Sequence, residues 1–367
     1  MEHPTIKNIL SLLETWAPPA TAEDFDNVGL LVGNQNRACT GALVTHDTLA
    51  SVVEEAISKN CNLIISFHPI IFSGLKSLTG KTYVEQAVLK AIENKIAIYA
   101  LHTALDNHPE GVSHGMSKQL DLINTKILIP KKEGLKKLNF YVPKEASEAV
   151  KKTLFAAGAG ALGAYTECSY ENSGSGQFRP STNAQPAQGQ KKELNRVEEF
   201  QVQLLFESHL QSKILQALQE SHPYEEVAFE ILSTDNENAY RGMGMIGELS
   251  SPISEKRFLA QLKKEFNPGG IRHSQLLGRP IQTVAVLGGS GSFGIEMAKQ
   301  QKADAYVTAD LKYHDFYQAE EQLLLVDVGH FESERFAKVL IHDYLCKKMP
   351  NFAFVLSETN TNPVNYF

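Results

Sequence analysis

Between Gly41 and His102 short apolar runs alternate with helical periods. "GALVTHD" (41–47), "NLIISFH" (62–68) and "IAIYALH" (96–102) have the run length of buried strands, while "LASVVEEAISKN" and "YVEQAVLKAIENK" carry apolar residues at helical spacing. This βαβαβ succession predicts a largely parallel sheet with helices on its faces. The same grammar returns near the other end, where "TVAVLGG", "AYVTAD", "LLLVDVGH" and "FAFVLSE" read as strands and "GIEMAKQQK" and "ERFAKVLIHDYLCKK" as helices. Residues 135–235 differ in texture. "LNFYVP", "EEFQVQLLFE" and "AFEILS" read as strands, and "EASEAVKKTLFAAG" and "SHLQSKILQALQES" as helices, which predicts a small α+β sandwich of the split βαβ kind. Within it, "NSGSGQFRPSTNAQPAQGQKK" has the composition of a hairpin excursion or loop. The expected fold class is therefore α/β: a discontinuous domain with a mostly parallel sheet (1–134 and 236–367) and an inserted α+β, ferredoxin-like domain (135–235).

At 367 residues the chain exceeds the size at which single cores stop growing, which agrees with two domains. Hydrophobic residues make up 43% and charged residues 21%, a composition that supports real cores. A net charge of -7 without a Lys/Arg cluster argues against electrostatic binding of nucleic acid. Four scattered cysteines form no CxxC pair, which disfavours a disulfide framework or a structural zinc knot and fits a reducing compartment. With no signal-like N-terminus and no run of 18 apolar residues, the expectation is a soluble cytoplasmic protein with no membrane partner.

The chemistry gathers where the strands end. In open parallel sheets ligands bind outside the carboxyl ends of the strands, and the proposed strands finish at Asp47, His68, His102 and His330. "LHTALD" sets Asp106 four residues after His102, and "GHFESERF" sets Glu334 four residues after His330, with Ser333 as the expected N-cap of a helix that Glu334 begins. Up to three imidazoles and two carboxylates from both halves of the chain point to a divalent transition metal. Zinc, manganese, iron, cobalt and nickel all suit these donors, whereas calcium and magnesium prefer oxygen alone. A bridging carboxylate can hold two such ions and make water a nucleophile near neutral pH. Two 2+ ions with two carboxylates leave a net positive charge at such a site, which suits an anionic substrate such as a phosphate ester.

Other patterns compete. Gly289, Gly291 and Gly294 in "VAVLGGSGSFG" have the GxGxxG spacing of a dinucleotide fingerprint, and in a milder form their amides could hold a substrate phosphate. His222 with Glu225 and Glu226 in "SHPYEE" has a metal-compatible spacing, though a structural turn explains it more simply. His108 and His114 read as loop residues, and Trp16 as core.

In order along the chain, "DNVGLLVGN", "FHPIIFSGLKSLTG", "HTALD", "GGSGSFG", "TADLKYHD" and "GHFESE" resemble the dinuclear-metal-centre family of type 2 homologues of GTP cyclohydrolase I. The resemblance covers nearly the whole chain, and "HPYEEVAFEI" resembles the PII/CutA-like extra domain of its longer members. It implies two metal ions per chain held by His68, Asp106, His330 and Glu334, and a ring-shaped homohexamer with the sites facing an internal cavity. His102 is then a nearby group or proton shuttle, with Asp310, Lys312 and His314 at the pocket beside Gly289 and Gly291. The implied activity is metal-dependent hydrolysis of a nucleotide or other phosphate-bearing substrate, with opening of the purine imidazole ring of GTP as the named reaction. A non-catalytic metal-binding regulatory or sensing protein is the alternative. Many members carry two successive histidines before the proline, where this chain has Phe67 then His68. One site should lose an imidazole, which predicts unequal metal sites, or replacement of the ligand by water or His102.

Overall fold

The computed structural model describes residues 4–132 and 134–367. It divides into two compact units, Met1–Pro130 with Tyr240–Phe367, and Lys131–Ala239. The seams fall at 130/131 and 239/240 rather than at 134/135 and 235/236, because strands Ile123–Lys131 and Asn238–Ile253 run through them.

The larger unit contains two sheets. The first has five strands in the order Gly29–Val32, Ala97–Ala100, Leu63–Ser66, Ala42–Thr45, Phe354–Leu356. All its pairings are parallel except that of Gly29–Val32, an antiparallel edge strand. These strands have three or four residues, so their hydrogen bonds, at about 1 kcal/mol net each, contribute less than burial, at roughly 1.5–3 kcal/mol per large apolar side chain. Burial occurs on both faces. Ala42, Val44, Leu63 and Ile65 pack with Ile6, Leu10, Leu13, Ile341 and Leu345, while the alternate residues Leu43, Ile64 and Ile98 pack with Val52, Val53, Ala87 and Val88. That is why the strands read as unbroken apolar runs. Helix Ile6–Trp16 starts where Thr5 and Asn8 form a reciprocal capping box.

The second sheet runs Arg272–His273, Leu324–Asp327, Ala305–Ala309, Ile281–Ser290, Asn238–Ile253, Ile123–Lys131. Its middle strands, Ile281–Ser290, Ala305–Ala309 and Leu324–Asp327, are mutually parallel, so their carboxyl ends share one edge. Val284, Val286, Val307 and Val326 pack against Phe258, Leu262 and Phe266 of helix Glu255–Phe266.

The smaller unit has the element order strand, helix, strand, strand, helix, strand. Its antiparallel sheet runs Tyr170–Phe178, Asn195–Glu207, Leu135–Pro143, Phe229–Ser233. Helices Ser147–Ala157 and Gln211–Ser221 bury Val150, Leu154, Ile214 and Leu218 against Leu138, Phe140, Val202 and Leu204. This is the split βαβ connectivity. The Gly/Ser-rich segment supplies strand Tyr170–Phe178 of a hairpin with Asn195–Glu207.

Candidate metal centre

Both sheets deliver side chains from the carboxyl ends of their strands. His46 and Asp47 follow Ala42–Thr45, His68 follows Leu63–Ser66, and His102 follows Ala97–Ala100. From the second sheet, Asp310 follows Ala305–Ala309 and His330 comes three residues after Leu324–Asp327.

His330 opens the five-residue helix His330–Glu334, capped by Gly329 at φ 92°. Ser333 is therefore not the N-cap the sequence suggested. It lies inside the helix, where its hydroxyl donates to the His330 carbonyl (2.8 Å) and accepts from the Gly289 amide (2.9 Å). The earlier start places His330 and Glu334 at i and i+4, on one helical face. Glu334 Oε2 lies 3.0 Å from His330 Nε2, 3.1 Å from His68 Nε2 and 3.8 Å from His46 Nε2. The two imidazole nitrogens of His68 and His330 are 3.5 Å apart.

Each imidazole is held from behind. Asp47 Oδ1 meets His68 Nδ1 at 2.7 Å, and Asp310 Oδ2 meets His330 Nδ1 at 2.7 Å. Asp47 is itself fixed by the Thr361 hydroxyl (2.6 Å), and Asp310 by that of Ser290 (2.5 Å). Carboxylates behind ligating histidines set the tautomer so that Nε2 is free to coordinate. In the metal-free protein burial would depress both imidazoles, yet Asp47 with Glu334 raises His68 to about 9, and Asp310 with Glu334 raises His330 to about 11. His46 lacks such support, and burial pushes it down to about 4.

The carboxyl groups divide. Burial favours the neutral form of Glu334, but the adjoining imidazoles of His330 and His68 outweigh it and hold the group well below the usual carboxylate range. Asp106, on helix His102–Asp106, is raised well above its ordinary value by burial and then by the charge of Glu334. It lines a cavity of about 270 Å³ with His102, Phe25, Phe72, His330 and Glu334, outside the tight cluster of donor atoms. His102 adopts φ 34° and bonds through Nδ1 to Asp26 Oδ1 (2.8 Å), and Asp26 Oδ2 accepts from the Thr103 amide and hydroxyl.

Among the described residues, two triads of donor atoms mutually within 4.8 Å share His68: His68, His330, Glu334 and His46, Asp47, His68. Glu334 Oε2 and His46 Nδ1 are fully buried and have no hydrogen-bond partner. A carboxylate oxygen facing three imidazole nitrogens without a proper hydrogen bond, amid nitrogen and oxygen donors only, fits a divalent transition-metal centre.

The glycines of "GGSGSFG" are explained by the same packing. A Cβ on Gly289 (φ 66°) would stand 2.2 Å from Glu334 Oε1, and one on Gly291 would stand 2.0 Å from Thr308 Oγ1. Gly289 thus makes room for the cluster's own Glu334, and Gly291 for Thr308 of the adjoining strand. Lys312 and His314 do not come to the centre. Beyond Asp310 (φ 55°) the chain buries Leu311 and turns onto an exposed helical turn, Tyr313–Ala319, so neither residue lines a cavity beside the cluster. In the smaller unit His222 is satisfied as a structural residue, with Nε2 bonded to the Tyr141 carbonyl (2.9 Å) and Nδ1 accepting from the Tyr224 amide (3.1 Å). His114 lies on helix Val112–Gln119 rather than in a loop.

Sequence reading passed over two participants. His46 is hidden inside "ALVTHD", whose pattern ends the strand at Asp47, and Asp26 opens "DNVGLLVGN" with no distinguishing spacing. A histidine directly before the strand-end aspartate is the signal that the sequence offers.

A family model described as Duf34/NIF3 (NGG1p interacting factor 3) matches residues 4–363. The chain belongs to the NIF3 family. Among curated NIF3-family relatives, a Bacillus subtilis protein named GTP cyclohydrolase 1 type 2 homolog is 36% identical over 370 residues, covering 98% of each chain. A Staphylococcus epidermidis protein of the same name is 34% identical over 98% of this chain and 99% of its own. The crystal structure of a Bacillus cereus protein related to NIF3 superposes with a TM-score of 0.88 at 34% identity, covering 100% of both chains. A Staphylococcus aureus structure gives a TM-score of 0.78 at 29% identity, again over both chains in full. Among the described residues, no helix is long and apolar enough to cross a membrane.

Proposed function

We propose that the chain is a cytoplasmic, metal-dependent hydrolase with a dinuclear centre, acting as a homohexamer on a nucleotide or similar small phosphate-bearing substrate. The observation that carries the reading is Glu334 Oε2, buried and unbonded within 3.8 Å of three imidazole nitrogens. His68, His330, Glu334 and Asp106 would hold the ions, and zinc, manganese, iron, cobalt and nickel all suit the donors. Bound there, a divalent ion supplies Lewis acidity and makes water nucleophilic near neutral pH.

The protein's own residues set the geometry. Asp47 and Asp310 aim His68 and His330, while Gly289 leaves space for the carboxylate of Glu334. His102, oriented by Asp26, stands edge-on to His68 with ring centroids 5.2 Å apart, where it can relay a proton. A cavity of about 680 Å³ opens beside His46, His68, Asp310 and His330, a size suited to a nucleotide. Asp47, Asp327 and Glu332 also line it and Arg272 pairs with Asp327, so the positive charge for a phosphate would come from bound ions. Asp310 would meet the substrate there, and opening of the imidazole ring of GTP is the reaction that the relatives' names suggest.

The test is turnover of GTP and a panel of phosphoesters by the metal-loaded chain, with Glu334→Ala as control. Turnover abolished by that change supports the reading, and its absence from every substrate rejects it. A sensing role has one observation in its favour. The smaller unit carries its own cavity of about 550 Å³, lined by Tyr141, Phe178, Arg179, Glu199 and Tyr224. Nucleotide binding without turnover, unaffected by Glu334→Ala, would favour that role.

A further inference from the structure

We propose that His46 is a metal ligand, taking over from the neighbouring strand the imidazole that position 67 does not provide. The inference deepens the metal-centre reading and rests on it.

Register is the first support. Ala42–Thr45 and Leu63–Ser66 pair in parallel with Thr45 opposite Ser66, so the next residues out, His46 and Phe67, stand side by side. The Phe67 amide donates to the Thr45 carbonyl (3.1 Å) and the His68 amide to the His46 carbonyl (2.9 Å), which carries the pairing past the end of the strands. Residues level on adjacent strands point to the same face about 4.8 Å apart. An imidazole at 46 can therefore reach the space that one at 67 would serve. The two rings are nearly parallel, with centroids 5.5 Å apart.

The second support is the state of the His46 side chain. It is 3% exposed. Nδ1 has no partner, and Nε2 faces Glu334 Oε2 at 3.8 Å, too long for a hydrogen bond. A buried imidazole is ordinarily hydrogen-bonded, and this one is aimed at an equally unsatisfied carboxylate oxygen. A cation between Nε2 and Oε2 would give the carboxylate oxygen its partner and the imidazole a ligand bond through Nε2, with Nδ1 on the other side of the ring. Two ligand atoms about 2.1 Å from one ion can be up to about 4.2 Å apart, so the separation is within range.

Third, the alternative donors are less well placed. His102 stays outside both triads, while Asp47 uses one oxygen on His68 and the other on Thr361. Phe67 offers no donor and packs against His46, His68 and His102. The exchange keeps the ligand chemistry unchanged, imidazole for imidazole, and so preserves two ions where the Phe67 departure alone predicted a weakened site.

The experiment loads the purified full chain with Co²⁺ and measures bound metal by elemental analysis and the visible Co²⁺ spectrum. The variants are His46→Leu, His46→Gln, His46→Leu with Phe67→His, and Glu334→Ala, each checked for fold by circular dichroism. The expected result is two ions in the native chain. Either His46 variant should lose one, or bind it at least about tenfold more weakly, with an altered Co²⁺ spectrum, and Phe67→His should restore it. Wild-type stoichiometry, affinity and spectrum in both folded His46 variants would overturn the proposal while Glu334→Ala, losing metal, leaves the centre intact. A native chain that binds no Co²⁺ would instead overturn the metal-centre reading itself.

Discussion

Two five-residue helices, His102–Asp106 and His330–Glu334, carry a histidine and a carboxylate at the same i, i+4 spacing at the ends of two different sheets. Each histidine is oriented through Nδ1 by an aspartate, at 2.8 Å from Asp26 and 2.7 Å from Asp310. Their carboxyl groups nevertheless titrate in opposite directions. Glu334 touches two imidazoles and is held well below the usual carboxylate range, whereas Asp106, half-buried beside that charge, is raised well above its ordinary value. The lesson is that spacing alone does not define a ligand. The neighbour contributed by the other sheet does, here His68 reaching Glu334 from the first sheet.

The largest expected effect comes from breaking the stronger member. Glu334→Ala should abolish metal binding by elemental analysis. It should also destabilise the metal-free fold by about 1–2 kcal/mol, because the part-exposed imidazoles of His68 and His330 each lose one of the two carboxylates that face them. Asp106→Asn should behave differently. Burial and the charge of Glu334 push this carboxyl toward its neutral form, so metal-free stability by denaturant titration should change by less than about 1 kcal/mol, while affinity for the second ion falls.

The orienting aspartates sharpen the contrast. Asp310→Asn should weaken metal binding about 10–100-fold, whereas Asp26→Asn should change it far less, since His102 stands outside the donor cluster. Competition against a chelator distinguishes the two. Gly289→Ala places a Cβ where Glu334 Oε1 lies, at a positive φ. Thermal unfolding should show a loss of about 1–3 kcal/mol.

A more remote effect concerns a wall of the cavity beside His330. The cavity there is bordered by Asn362, Pro363, Val364 and Tyr366. Glu55 anchors the start of this segment, accepting from the Ser357 hydroxyl (2.6 Å), the Glu358 amide (2.8 Å) and the Thr359 hydroxyl (2.6 Å). Burial would raise Glu55, but these bonds outweigh it and lower the group from 4.5 to about 2. A depressed carboxyl stabilises the fold above its unfolded pKa and loses that contribution as pH falls through the folded one. Glu55→Gln should therefore cost about 1–2 kcal/mol at neutral pH, allowing for screening. In denaturant titrations the difference from wild type should vanish as pH drops from about 4.5 toward 2.

Much of this comparison was legible before any coordinates. Apolar runs gave the parallel strands because both faces of each sheet are covered, and strand-end histidines with carboxylates four residues on pointed to the centre. What escaped depended on register between strands distant in sequence. His46 matters because it lies beside Phe67, and no local pattern reveals that pairing. Ser333 resembled a cap because its hydroxyl does bond backbone, though the amide it accepts is Gly289's, across the fold. Lys312 and His314 lie near Asp310 in sequence, yet one left-handed residue turns them away.

The most direct test is an anomalous difference map from crystals grown with Zn²⁺. The account predicts density between His68 Nε2, His330 Nε2 and Glu334 Oε2. Full-occupancy zinc bound elsewhere, with these three side chains apart and bare, would contradict it.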